Sequence, residues 1–318
     1  MSTGRTLQAM VGGSWRRKIS TRIAAPRTVL ADLRRLRRHL RGDLVRAYAR
    51  YHERRRTPGR VYRIPGRRCR MWLPIASGVS VAERRFGVFE PETFERLERL
   101  IAPGAVVVEV GACYGEFTIH LSRLVGARGQ VYAFELFPPY FEIARKNVAL
   151  NGLTNVVLLN RALGRSGSIP IRVNVAAENP YGSLDQVSRL DYSSRASNTD
   201  VSAPVATRVE VVSLLDYIRS ADLTPDLLFM DIEGCELEVL ADLQPLLRDE
   251  GRRPMIYFEL HRAFYGQEGV RWLEALFDRS GYSCERVAGH LLCRPSRAAA
   301  GASLNSFVRT ADLGGTAD

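Results

Sequence analysis

From residue 71 onward, short solid blocks of β-branched and aliphatic residues alternate with stretches whose apolar residues recur every three to four positions. Near-continuous apolar strands, each followed by an amphipathic helix, imply a parallel sheet covered on both faces by crossover helices. The strand blocks fall at 106–110, 131–135, 156–160, 227–231 and 255–260, with helical segments near 115–125, 138–150, 236–247 and 268–279. A closing pair of runs, YSCERVAGHLLCRP at 282–295, reads as a hairpin that ends the sheet antiparallel. The expected architecture is α/β, a doubly wound, mostly parallel seven-stranded sheet with an antiparallel last strand.

The 318 residues include 46% apolar residues, ample for a large core. Charge divides the chain sharply. Residues 1–70 carry 21 Lys and Arg against three acids, whereas the rest of the chain is net acidic. Any attraction to phosphates or anionic lipid therefore belongs to the first segment. Between 28 and 56, Val29, Leu33, Leu36, Leu40, Leu44, Ala47, Tyr48 and Tyr51 form a helical stripe on an Arg-dense background. That stripe suits first of all a helix pair packing on the body or a partner, and after that an arm for an anionic membrane surface or a polyanion. Two Pro-Gly dipeptides in TPGRVYRIPGRRCR, 57–70, read as a linker. The expected organisation is thus a basic helical extension and linker (1–70), a main domain (71–295) and a disordered tail (296–318). The segment 174–207 is long for a loop and reads as a lid or an excursion. Five scattered cysteines signal neither a zinc site nor a disulfide framework, and no run reaches the length of a membrane span or a secretory signal. The expected compartment is the cytoplasm, with peripheral contact at the inner membrane surface through residues 1–56.

At the first block the chain reads VVVEVGACYGEFTIHLSRL, 106–124. In a doubly wound sheet the first strand flanks the ligand crevice. Gly111 permits a sharp turn and Gly115 permits close backbone approach. The dinucleotide fingerprint G-x-G-x-x-G is absent. The looser turn, with Glu109 two residues before it, suits a ligand that carries an amino acid end and no diphosphate. The next block ends at Glu135, where a carboxylate can accept both hydroxyls of a ribose. S-adenosylmethionine has these parts.

Several further stretches follow in order: FGVFEPET (86–93), IAPGAVVVEVGACYGEFT (101–118), GQVYAFE (129–135), ARKNVALNGLTNV (144–156), PDLLFMDIEGCELEVL (225–240) and IYFELH (256–261). Together they resemble the FkbM-type S-adenosylmethionine-dependent methyltransferases over about residues 80–295. The resemblance implies a class I, Rossmann-like methyltransferase fold. It implies that Glu109, Gly111, Gly115 and Glu135 bind the cofactor, with Glu90 near its methionine end and Asn160 completing the set. The chain departs from the family pattern at Glu109, Cys113, Leu136 and Phe229, where Asp, Asn, Pro and Lys are usual. In NPYGSL, 179–184, Tyr181 and Ser183 fall on a segment that the resemblance places near the acceptor.

Methyl transfer is an in-line displacement, so the protein must align the acceptor and, for a hydroxyl, take its proton. Asp231, Glu233, Glu259 and His261 close the fourth and fifth blocks at one sheet edge. His261 is the expected general base because imidazole titrates near neutrality, with Glu259 or Glu233 orienting it. A structural His261 and a divalent cation held by the same acids are the competing readings, the metal not being favoured. The motif of amine-methylating enzymes is misplaced: PPY opens the helix after the second block and NPY lies in a loop. The expectation is therefore O-methylation of a hydroxyl on a sugar, glycolipid or secondary metabolite. A nucleic-acid methyltransferase using the basic arm, and a non-catalytic scaffold with this fold, are the alternatives.

Overall fold

The computed structural model describes residues 59–74, 78–164, 210–232, 234–287 and 289–296. The basic helical segment, the tail, the 174–207 excursion, Tyr181, Ser183 and Glu233 lie outside the described residues.

Seven strands form the central sheet: β3 (Val106–Val110), β4 (Gln130–Phe134), β5 (Val156–Leu159), β8 (Leu227–Met230), β9 (Met255–Glu259), β10 (Tyr282–Val287) and β11 (His290–Pro295). Their order is β10-β11-β9-β8-β3-β4-β5. Strands β9, β8, β3, β4 and β5 run parallel, whereas β11 enters between β9 and β10 antiparallel to both. The order reverses at β3, whose neighbours are β4 and β8, so the crevice at its carboxyl end is where such a fold takes a ligand.

Alternation along the strands feeds two layers. Val108, Val110, Leu228, Met230, Ile256 and Phe258 pack against α5 (Leu214–Ser220), α6 (Glu236–Asp242), α7 (Gln244–Leu247) and α8 (Arg262–Arg279). Val107, Val131, Ala133, Leu227, Phe229 and Tyr257 face the other way, onto α2 (Pro91–Leu100) and α3 (Glu116–Val125). Each fully buried Leu or Phe contributes about 1.5–3 kcal/mol by leaving water. The outer layers therefore hold the strand ends in fixed register, and with them every side chain at the sheet edge.

The stretch read as a linker is structured. Its residues pair as a hairpin of β1 (Arg60–Ile64) and β2 (Cys69–Leu73), turning at Pro65 and Gly66 and followed by α1 (Gly78–Phe86). Tyr62, Ile64, Met71 and Leu73 are buried against Tyr140 and Ile143 of α4 (Pro138–Leu150). The fully buried Asn147 ties the hairpin to the glycine turn. Its Oδ1 accepts from the Trp72 amide at 2.6 Å, and its Nδ2 donates to the carbonyls of Trp72 and Tyr114 at 3.1 and 2.9 Å. The main domain thus begins before residue 71.

Two further departures have simple causes. Helix α8 starts at Arg262, not 268, and is broken at Gly266, where φ is 61°. The two glycines in GQEG interrupt the periodicity and hide its first turn. Cys284 and Cys293 face each other across β10 and β11 and are joined by a disulfide, because a hairpin of that register makes residues nine apart direct partners. Among the described residues, no helix is long and apolar enough to cross a membrane. A pair of two-residue strands, β6 (Ala162–Leu163) and β7 (Val211–Val212), forms a separate parallel bridge.

Candidate active site

Two groups of side chains meet at the carboxyl ends of β3, β4, β8 and β9. The first surrounds the glycine turn. Gly111 adopts φ 95°, and a Cβ there would come within 2.1 Å of the Asp231 carbonyl. The turn after β3 therefore presses directly on the end of β8. Gly115 caps α3 at φ 80°, and its missing side chain faces Ala144 of α4, where a Cβ would approach to 3.2 Å. The expectation that Gly115 clears space for a ligand thus finds a different physical cause: the glycine lets α3 and α4 pack and supplies a left-handed conformation.

Glu135 follows β4 and is buried. Its Oε2 accepts from the Cys113 amide and its Oε1 from the Phe137 amide, both at 2.7 Å. Burial pushes its pKa up to about 7, against the pull of these amides and that of Leu136. The sequence pattern assigns both oxygens to a ribose alone; in the fold each already holds the turn in place. Each oxygen retains a second lone pair, so the carboxylate can still accept two hydroxyls. Asn160, beyond β5, donates to the carbonyls of Glu135 and Leu136 at 2.7 and 3.1 Å. Its side chain braces the segment that carries Glu135.

Glu109 is wholly buried on β3. The hydroxyl and amide of Thr118 are its hydrogen-bonding neighbours. Burial raises its pKa to about 8 against their pull, with the charge of Glu135 adding to the push. At pH 7 the group is therefore mainly a neutral carboxylic acid, and an ammonium arriving at the turn would favour its ionised form. Glu135, Glu109 and the turn between Gly111 and Gly115 therefore fit the ribose and amino acid end of S-adenosylmethionine. If they hold it, cofactor affinity should weaken as the pH falls below about 7, because protonating Glu135 removes an acceptor. Titration calorimetry on Glu135→Gln should show weaker binding, with the pH dependence that remains belonging to Glu109. Unchanged affinity in that variant would remove Glu135 from the pocket.

The second group is built on β8 and β9. Asp231 follows β8, Glu259 ends β9 and His261 caps α8. Nδ1 of His261 lies 2.9 Å from Oε1 of Glu236, the first residue of α6, which is fully buried. A carboxylate only accepts, so Nδ1 carries the hydrogen. The other oxygen of Glu236 accepts from the Tyr265 hydroxyl, and Oε1 also receives the Ile232 amide at 3.3 Å. Nε2 consequently faces outward, 3.5 Å from Glu259 and 4.0 Å from Asp231. Partial burial opposes the charged ring, but the hydrogen bond and charge of Glu236, then Glu259 and Asp231, raise its pKa to about 9.

Glu236 is the residue that sequence reasoning missed; Glu259 lies on the far side of the imidazole from the hydrogen bond that orients it. The available signal was an acid opening a helix whose next inward positions are apolar. Glu90 caps α2 with φ 38°, an uncommon conformation for a non-glycine residue. Burial and the nearby charge of Glu259 raise its pKa, and its Oε2 sits 3.8 Å from Nε2 of His290. Glu90 therefore stands with the acids of the second group.

A glycine turn after the first strand of the sheet, a buried acid closing the next strand, and a histidine with acids at the adjoining edge define an S-adenosylmethionine-dependent methyltransferase. A family model described as the methyltransferase FkbM domain matches residues 109–284. The chain belongs to the FkbM methyltransferase family. It is also similar, over short stretches, to curated methyltransferases of other kinds. It is 31% identical over 90 residues to the tRNA (adenine(58)-N(1))-methyltransferase catalytic subunit TRM61 of Yarrowia lipolytica, covering 28% of this chain and 23% of that one. It is 37% identical over 93 residues to a protein-L-isoaspartate O-methyltransferase of Methanosarcina mazei, covering 27% and 38%. The chain thus spans well under half the length of these two relatives. Among solved structures, M. jannaschii TYW2 in complex with AdoMet aligns with a TM-score of 0.38 at 14% identity, covering 74% of this chain and 84% of that one.

Proposed function

We propose that the protein transfers the methyl group of S-adenosylmethionine to a hydroxyl oxygen on a sugar, glycolipid or secondary metabolite. The observation that carries the reading is the imidazole of His261, locked by Glu236 behind it and turned toward Asp231 and Glu259 at the sheet edge beside the glycine turn. S-adenosylmethionine supplies an electrophilic methyl on a sulfonium. The protein's part is to align an oxygen with that methyl and draw off its proton as the carbon–oxygen bond forms. With the pKa held near 9, the deprotonated fraction of His261 is the active one: there Nε2 is the proton acceptor, Glu236 stabilises the imidazolium that results, and transfer is expected to rise with pH up to about 9. Asp231 and Glu259 favour the same positive charge. The fourth strand leads into DIEG, without the Pro-Pro-aromatic run expected of amine acceptors, which supports oxygen over nitrogen.

Labelled methyl transfer into an extract distinguishes the alternatives. The expected product carries a methyl ether, so its label survives mild alkali. Release of labelled methanol would indicate a carboxyl ester, and label in the nucleic acid fraction would indicate a nucleic-acid acceptor. Either would overturn the proposal, as would cofactor binding with no transfer to any fraction.

A further inference from the structure

Donor atoms of Asp231, Glu259 and His261 all lie within 4.8 Å of one another. Two ligands each about 2.1 Å from a tetrahedral ion sit about 3.4 Å apart. The 3.5 Å between Nε2 of His261 and Oε2 of Glu259 already matches that spacing. Asp231 stands slightly farther off, at 4.0 Å from Nε2.

A second observation lies outside the trio. Glu236, fully buried, accepts from Nδ1 on the far side of the ring, and the Tyr265 hydroxyl fixes its other oxygen. This arrangement fixes the ring so that Nε2, the nitrogen open to exchange a proton for a metal ion, faces the two carboxylates. A carboxylate holding the remote nitrogen of a histidine is the usual support of a metal-ligating imidazole. One nitrogen and two oxygen donors suit a divalent transition-metal ion.

We infer that Asp231, Glu259 and His261 bind a divalent transition-metal ion, with its remaining positions open to the acceptor oxygen. The inference rests on reading this edge as the acceptor site and changes what the edge does. Metal and proton compete for one lone pair, so the base role of His261 belongs to the metal-free cluster. In the loaded cluster His261 is a ligand. The coordinated hydroxyl becomes more acidic and loses its proton to solvent, while its oxygen forms the bond to the methyl carbon as the carbon–sulfur bond breaks.

The test needs no acceptor. Full-length protein freed of metal by a chelator is titrated with Mn²⁺ alone, the free ion being followed by electron paramagnetic resonance. A site of 1:1 stoichiometry is expected. His261→Ala and Glu259→Gln should each weaken it at least about tenfold, and Glu236→Gln, which keeps all three ligands, about 10- to 100-fold. Thermal unfolding and S-adenosylmethionine binding, measured on each variant, separate lost ligation from lost fold. Absence of a 1:1 site in the parent protein overturns the inference. So does a site that survives both ligand substitutions, and unchanged affinity in Glu236→Gln removes its positioning role. Because occupancy is the readout, the result is independent of which atom is methylated.

Discussion

Replacing His261 with alanine is expected to lower methyl transfer by about two to four orders of magnitude, the usual contribution of a positioned acid–base group. Cofactor affinity should stay within about twofold, because Glu135 and Glu109 form a separate group around the glycine turn. Alanine also strips the fully buried Glu236 of one partner, which by itself costs stability. His261→Asn controls for that loss: its amide can donate to Glu236 in place of Nδ1, yet it offers nothing where Nε2 stood. Single-turnover transfer of labelled methyl should fall equally in both variants, with only the alanine protein showing a lower unfolding temperature. Full turnover in either would take His261 out of the chemistry.

Gly111→Ala should produce the largest loss of stability. Alanine would have to hold φ near 95° with its Cβ about 2 Å from the Asp231 carbonyl. The strained backbone alone costs roughly 1–2 kcal/mol, and relieving the overlap forces β3 and β8 apart. A total of about 3–5 kcal/mol is expected, lowering the unfolding temperature by roughly 10 °C or more, with loss of S-adenosylmethionine binding. Gly104 provides the comparison, since it has φ 92° but a Cβ added there would meet nothing within 4 Å. Gly104→Ala should therefore show the backbone strain only. Calorimetric unfolding that placed the two variants together would mean the contact between the turn and β8 is soft.

These two variants probe features that differed in legibility. The positions of the five parallel strands could be read because each is a continuous apolar block, a pattern that burial on both faces imposes; their order in the sheet comes from the structure. The acids at their ends stood out for the same reason: charge is rare where such a block stops. The β1–β2 hairpin was hidden by its own chemistry. RVYRI buries only Tyr62 and Ile64, and Pro65-Gly66, which turns the hairpin, carries the same local signal as a flexible connection. Glu236 was hidden because its role is tertiary: it lies 25 residues from His261, on the far side of the ring from the acids that the motifs bring together. The pairing of Cys284 with Cys293 needed the hairpin register, which the sequence suggested but did not determine.

The insertion of β11 between β9 and β10 has a kinetic corollary. Strand β9 ends in Glu259, and its outer edge is covered only when residues 290–293 pair with 256–259. During synthesis that edge waits, open, until almost the whole domain has left the ribosome. The last segment to dock then sets His290 opposite Glu259, so the edge of the strand that carries Glu259 is the last to be closed.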